Sequence, residues 1–232
     1  HIAEQTPWLE QWPVVTSWMQ RLPVWLRRQR AIMMLSPIAF EMVDVSNYDV
    51  VISVTSATAK GVLTKPEQLH LCYILTPPRY LYSHQSSYVS HRGQMILSPL
   101  LGYLRRWDRV AQTRADRMIP ISQRVRHRVQ TLYGIRTDEP VYPPVRITHH
   151  TNQNSHQTAN SKPFFLVVSR MVAYKKIDVA VRACLELGVC LKIVGTGPML
   201  RTWRAIATSP NVEWLGDQDD GAVRQLMSEA EA

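Results

Sequence analysis

Apolar and polar positions alternate in blocks, and the clearest block begins at Phe164-Phe165-Leu166-Val167-Val168. This continuous apolar run, rich in β-branched residues, predicts a strand buried on both faces. Ile177, Ala180, Val181, Cys184 and Leu185 then recur at helical spacing, predicting a helix over 175–187 with Gly188 at its C-cap. A second strand, Cys190–Val194, runs straight into Gly195-Thr196-Gly197-Pro198 at the head of another helix, where Pro198 suits the first turn. The block is a β-α-β unit. A connection of that length makes its two strands parallel, and parallel sheets offer ligand sites outside the carboxyl ends of their strands. A third strand is predicted over 212–215, with Asp219 or Asp220 capping a helix over 222–227.

The earlier part of the chain alternates in the same way. Residues 48–53 predict a buried strand, 57–62 a short turn or helix, and 69–74 a second strand. That strand ends at Leu75-Thr76-Pro77-Pro78-Arg79-Tyr80-Leu81-Tyr82, where the proline pair fixes a rigid loop. Arg79 with two tyrosines makes a polar, aromatic lip that could hold sugar or phosphate or be a packed corner. Residues 98–114 predict a long helix with Leu100, Leu101, Leu104, Trp107, Val110 and Ala111 on one face and Arg105, Arg106 and Arg109 on the other. A strand over 117–121 leads to a helix that carries Arg124, Arg126, His127 and Arg128, with Ser122 as its N-cap. Residues 146–162 are polar without apolar period and read as a linker. The expected division is a first domain over 1–147, a linker over 148–162 and a second domain over 163–232.

At 232 residues with 45% hydrophobic and 19% charged content, the chain is long enough for two cored domains and is not of disordered composition. The formal net charge of +9 sits in one part: residues 1–162 hold 19 Lys and Arg against 10 Asp and Glu, and 163–232 hold 8 against 8. An anionic partner of the first part follows, with a membrane surface, a phosphorylated acceptor and nucleic acid as candidates. Nucleic acid is disfavoured, since no recognition-helix, RNA-platform or zinc pattern occurs. The basic face of the long helix could equally be a solvated one.

Trp8, Trp12, Trp18 and Trp25, with Arg21, Arg27, Arg28 and Arg30, could lie in a membrane interface or pack on the domain. No segment reaches the roughly 18 apolar residues of a membrane span. Cys72, Cys184 and Cys190 match no zinc or disulfide spacing and read as buried reduced thiols of a cytoplasmic protein. His149, His150 and His156 lie in the polar linker without carboxylate or cysteine partners, so no metal is implied.

The chemistry concentrates at the carboxyl ends of the later strands. Arg170 leaves the first and Lys175 follows five residues on, so both cations can converge on one anion beside backbone N–H groups at a helix start. Gly195 and Gly197 let the backbone approach a second anionic group, or simply make a tight turn.

Ser169-Arg170, Tyr174-Lys175-Lys176-Ile177-Asp178, Gly195-Thr196-Gly197-Pro198 and Asn211-Val212-Glu213-Trp214-Leu215-Gly216 together resemble the donor domain of family 4 of the GT-B glycosyltransferases. Residues 48–61, 69–82, Trp107-Asp108 to Asp116, Ser122 and Tyr142-Pro143-Pro144-Val145 resemble the acceptor-side domain of that family, especially its bacterial mannosyltransferases of surface polysaccharide synthesis. The resemblance implies an α/β fold of the GT-B type, two Rossmann-like domains facing a cleft, both incomplete here. It implies that Arg170 and Lys175 hold the diphosphate of a nucleotide-sugar, with Gly195, Gly197, Pro198 and Gly216 on the donor side and Thr76, Arg79, Tyr80 and Lys60 on the acceptor side. GDP-mannose is the implied donor, a lipid-linked glycan or polysaccharide the acceptor, and no metal or other cofactor is required. The implied location is peripheral, at the inner face of the cytoplasmic membrane.

Two positions depart from the family's pattern. Relatives commonly carry histidine where this chain has Leu75, and often another where it has Ser56. Leucine neither donates a hydrogen bond nor shuttles a proton, which opens a second reading: a degenerate, non-catalytic protein that binds sugar nucleotides or scaffolds polysaccharide assembly. The family's glutamate pair would come just after Ala232 and its opening glycine-rich loop before His1. The sequence therefore reads as an internal fragment, expected to be inactive alone.

Overall fold

The computed structural model describes residues 12–27, 34–82, 91–144, 162–207 and 209–231, with the side chains of 91–97 left aside. The chain divides into two compact units, His1–Val145 and Arg146–Ala232. The expected linker, its three histidines and Trp8 lie outside the described residues, Lys162 apart.

The first unit holds α1 (Val24–Arg27), α2 (Ser36–Glu41), β1 (Val50–Thr55), β2 (Leu69–Ile74), α3 (Arg79–Tyr82), α4 (His91–Ala111), β3 (Arg117–Pro120) and α5 (Gln123–Tyr133). Its three strands are all parallel in the order β1-β2-β3. Alternate residues of β2 and β3 face one way, and Cys72, Ile74 and Met118 meet Val125 and Val129 of α5 in a core. The α5 helix starts where Ser122 accepts a hydrogen bond from the Val125 N–H and stops at left-handed Gly134. On α4, Leu101 and Leu104 pack with Leu81 of α3.

Two expectations change here. The first strand was expected buried, yet Val50, Ile52 and Val54 are exposed and Ser53 and Thr55 are the buried positions. An edge strand packed on one face buries only alternate residues, and that face of β1 carries hydroxyls because Ser53 bonds the His70 imidazole at 2.9 Å. The α4 helix begins at His91, seven residues before the predicted start, and its last predicted turn is a 3-10 segment, Gln112–Arg114. Leu100 and Val110, assigned to its apolar face, are exposed.

A polar cluster ties these elements together. Asp108 of α4 and Lys60, from the 3-10 turn Ala59–Gly61 after β1, are both fully buried, with Lys60 Nζ 2.6 Å from Asp108 Oδ1. The other carboxylate oxygen accepts Tyr82 OH of α3 at 2.9 Å and Tyr133 OH of α5 at 2.6 Å. Lys60 also donates to Tyr133 OH at 3.1 Å. A buried charge is tolerable only when paired and hydrogen-bonded, and here four elements supply the partners. Beside it, Glu41 of α2 accepts from Trp107 Nε1 at 2.7 Å and pairs with Arg114 at 2.7 Å, fastening α2 to the end of α4.

The second unit holds β4 (Phe164–Val168), α6 (Ile177–Leu187), β5 (Cys190–Val194), α7 (Leu200–Ile206), β6 (Val212–Gly216) and α8 (Asp220–Glu229), its strands parallel in the order β4-β5-β6. Ile177, Val181 and Cys184 of α6 and Trp203 of α7 close over Leu191, Ile193 and Val212. Burying each such large aliphatic side chain contributes roughly 1.5–3 kcal/mol. The β4 strand was expected buried on both faces; Phe165 and Val168 are instead exposed, 40% and 41%. Cys72, Cys184 and Cys190 are free thiols, the first two buried and the third half-buried, and burial pushes the Cys72 and Cys184 thiols up.

The Lys60–Asp108 pair generates one prediction and His70 another. Asp108→Asn strands a buried ammonium, so it is expected to cost about 3–5 kcal/mol in urea unfolding, whereas Lys60→Met with Asp108→Leu is expected to cost far less. His70 is fully buried; its Nδ1 faces the Arg114 carbonyl at 3.3 Å and therefore carries the proton, leaving Nε2 to accept from Ser53. Burial lowers its pKa, against weaker opposing effects of the Arg114 carbonyl and Asp116. The folded state thus keeps His70 neutral where the unfolded chain protonates. Its contribution is complete above the unfolded value of about 6.5 and is lost as pH falls below it. Unfolding free energy measured from pH 7.5 to 5 should fall with a steeper slope in the parent than in His70→Gln.

Candidate functional site

Parallel strands deliver their carboxyl ends to one edge of a sheet, and in the second unit those ends are laced together by backbone. Ser169 N–H donates to Val194 O at 3.0 Å, Met171 N–H to Thr196 O at 2.8 Å, Met199 N–H to Met171 O at 3.1 Å, and Gly195 N–H to Gly216 O at 2.6 Å. The ends of β4, β5 and β6 are therefore joined by backbone hydrogen bonds. Met171, fully buried, roots the segment in the core, and Arg170 beside it is exposed.

The glycines have a backbone reason to be glycine. Gly195 has φ +121° and Gly197 φ +155°, and a Cβ on either would lie far inside van der Waals contact of a carbonyl oxygen, Ser169 for the first and Met171 for the second. Sequence reasoning assigned them to ligand approach or a tight turn, and the close chain-to-chain approach alone requires them. Pro198 lies in the turn before α7, which starts at Leu200, so it precedes the first helical turn in which it was expected. Gly216, with φ +72°, ends β6.

Lys175 closes the 3-10 turn Ala173–Lys175 and is exposed, so it precedes α6 rather than lying in its first turn. Lys176, the N-cap of α6, takes the left-handed conformation at φ 52°, ψ 38°, the one positive-φ residue other than glycine among the described residues. A left-handed residue with a Cβ costs roughly 1–2 kcal/mol. It is tolerated because the chain must turn from the 3-10 segment into α6 while Ile177 stays in the core. Arg170, Lys175 and Lys176 are all exposed, and among the described residues no carboxylate forms an ion pair with them. Among the described residues, no group of three or more His, Cys, Asp or Glu is placed to hold a metal ion. Asp219 instead accepts the Ala222 N–H at 2.9 Å as the cap of α8.

In the first unit, the loop after β2 starts with Leu75, whose N–H donates to Thr55 O at 2.8 Å. Thr76, Pro77 and Pro78 are buried, Arg79 is exposed at the start of α3 and Tyr80 is half-buried. The α3 helix is held by Tyr82 on Asp108 and by Arg105 Nε donating to Leu81 O at 3.0 Å. Burial, and then the Asp108 charge, pushes the Tyr80 phenol up to about 12, and the same causes raise Tyr82 and Tyr133. Lys60, expected among the acceptor-side residues, is a correction. It has no exposed surface and its ammonium is committed to Asp108. Asp108 is the residue that sequence reasoning passed over as a functional group. Its signal was present, since it stands four residues after Leu104 and three before Ala111, a carboxylate within the buried stripe of α4.

No protein-family model matches the chain, and no curated protein matches it. Among solved structures, the apo form of the lipopolysaccharide outer core galactosyltransferase WaaB is similar at 18% identity, covering 97% of this chain and 57% of that one with a TM-score of 0.50. TarM is similar at 12% identity over 78% of this chain and 35% of that one, with a TM-score of 0.48. This chain thus spans just over half the length of WaaB and about a third of TarM. The likeness is one of fold: a mixed α/β chain with parallel sheets, as in the GT-B glycosyltransferases.

The laced edge predicts opposite responses to two substitutions. Gly195→Ala is expected to lower the stability of the second unit by more than about 2 kcal/mol, because backbone must move to admit the Cβ. Lys176→Gly is expected to raise it by roughly 0.5–1 kcal/mol by relieving the left-handed backbone. Urea midpoints of the two variants against the parent check both.

Proposed function

We propose that this chain is part of a retaining, metal-independent glycosyltransferase that moves a hexosyl group, mannosyl from GDP-mannose, to a lipid-linked or polysaccharide acceptor. The observation that carries the reading is the exposed Arg170 on the backbone-laced carboxyl edge of β4, with Lys175 in the turn that follows. In transfer, the bond from the anomeric carbon to the diphosphate oxygen breaks and a bond to the acceptor hydroxyl oxygen forms. The hydroxyl proton leaves with the phosphate or to solvent. Negative charge grows on the departing oxygens, so cations fixed beside them stabilise the transition state more than the ground state. Arg170 and Lys175 take that role. Gly195, Gly197, Pro198 and Gly216 form the donor side, and Thr76, Arg79 and Tyr80 the acceptor side, with Lys60 supporting them from beneath through Asp108.

The partners in this reading are a nucleotide-sugar, a glycan acceptor and an anionic membrane surface met by the basic first unit, at the inner face of the cytoplasmic membrane. No helix among the described residues is long and apolar enough to cross a membrane. A second reading rests on Leu75, an apolar side chain at the carboxyl end of β2 where the resembled family carries histidine. It makes the protein a degenerate transferase that binds a sugar nucleotide without turning it over. Leu75→His in the whole enzyme separates the two readings, a large gain in transfer favouring the degenerate one and no change favouring an enzyme that works without that side chain.

Calorimetric titration with GDP, GDP-mannose and UDP tests the proposal. Each cation contributes a charge-assisted contact to the diphosphate, so Arg170→Ala and Lys175→Ala are each expected to weaken GDP binding about tenfold or more. GDP affinity indifferent to both substitutions would sink the assignment.

A further inference from the structure

The outward face of α4 is neither a core face nor an ordinary solvated one. Burial of Leu101, Leu104, Trp107, Asp108 and Ala111 fixes the rotation of the helix. Pro99, Tyr103, Arg106 and Val110, spaced four, three and four residues apart, then form one exposed stripe, flanked by Leu100 and Arg109. Tyr103 is 57% and Val110 53% exposed. A solvated helix face would be polar along its length, whereas this one interleaves two arginines with an aromatic and aliphatic groups. It also lacks a counter-charge of its own, since Asp108, the acidic residue of α4, is turned inward onto Lys60.

We propose that this stripe is the surface by which the protein lies on an anionic lipid bilayer. The proposal rests on the membrane partner named above and deepens it by assigning the face. A bilayer is the occupant that the chemistry selects. Arginines attract a negative surface without directional demands, and a tyrosine ring suits the headgroup level with its hydroxyl wet. A single convex helix face offers apolar groups for shallow insertion. The structure also separates arginines that the sequence could not. Arg105 Nε is bound to Leu81 O and stabilises α3. Arg106 and Arg109 are the exposed ones and carry the contact, although Arg109 is also within electrostatic reach of Tyr82.

The test is co-sedimentation of the full chain with vesicles of phosphatidylglycerol and phosphatidylcholine, and with phosphatidylcholine alone. The parent is expected to bind the anionic vesicles, not the neutral ones, and to release in high salt. Arg106→Glu with Arg109→Glu is expected to weaken binding at least about tenfold, since each basic residue at the surface accounts for roughly a fivefold change. Arg201→Glu with Arg224→Glu makes the same charge change at exposed positions of the second unit and should leave binding nearly intact. Tyr103→Ser should weaken it severalfold without lowering the melting temperature. A parent that stays in the supernatant overturns both the membrane partner and this face. A parent that binds, with the α4 double variant unaffected or the control pair equally weakened, overturns the face alone. Equal binding to duplex DNA, lost in the same variant, would assign the stripe to nucleic acid instead.

Discussion

Parallel pairing governs this molecule. Strands that run the same way cannot be joined by hairpins, so each connection must travel back along the sheet before the next strand begins. Every strand then releases its chain at the same edge, and what stands there is decided by what the returning segments can be packed against. In the second unit α6 and α7 close over the strands through Val181, Cys184 and Trp203, and the three carboxyl ends fall within hydrogen-bond distance of one another. In the first unit α4 and α5 do the equivalent work with a buried charge pair at their meeting point.

The two edges are held by different physics. Backbone holds the second: Gly195 and Gly197 lie so close to the Ser169 and Met171 carbonyls that no side chain fits, and Arg170 is carried on that rigid lacing. Side chains hold the first. Lys60, Asp108, Tyr82 and Tyr133 come from four elements, and the loop after β2 stands where α3 is moored to them. For the proposed glycosyl transfer, rigid placement of cations matters, because charge that appears only in the transition state is best met by groups that need not move to meet it. The solved structure of WaaB supports the fold class, while the donor, the acceptor and the roles of Arg170 and Lys175 are parts of the proposal.

Much of the candidate site was legible before any fold was known. A strand followed by Ser169-Arg170, a helix start at Lys175-Lys176 and a glycine turn after the next strand are local features that depend on neighbours in sequence. Ser122 and Asp219 as helix caps and Gly188 as a helix end were legible for the same reason. The burial of Lys60 was not, because its partner lies 48 residues away in sequence and only packing of α4 brings them together. Whether a charged residue is ligand or scaffold depends on what lies within a few ångströms of it, and spacing alone does not report that.

The sequence by itself determined the order of the strands and the longer helices, the parallel class of the second sheet and the concentration of positive charge in the first unit. Apolar period, turn residues and composition are properties of the chain read locally. Tertiary structure alone decided that Val50, Ile52 and Val54 of β1 face outward, that Arg105 is hydrogen-bonded to α3 while Arg106 and Arg109 are exposed, and that two glycines are demanded by carbonyl oxygens at the end of the neighbouring strand. Each of those outcomes is set by which surfaces meet. A side chain's exposure and partners belong to the packed arrangement, and residues far apart in sequence supply them.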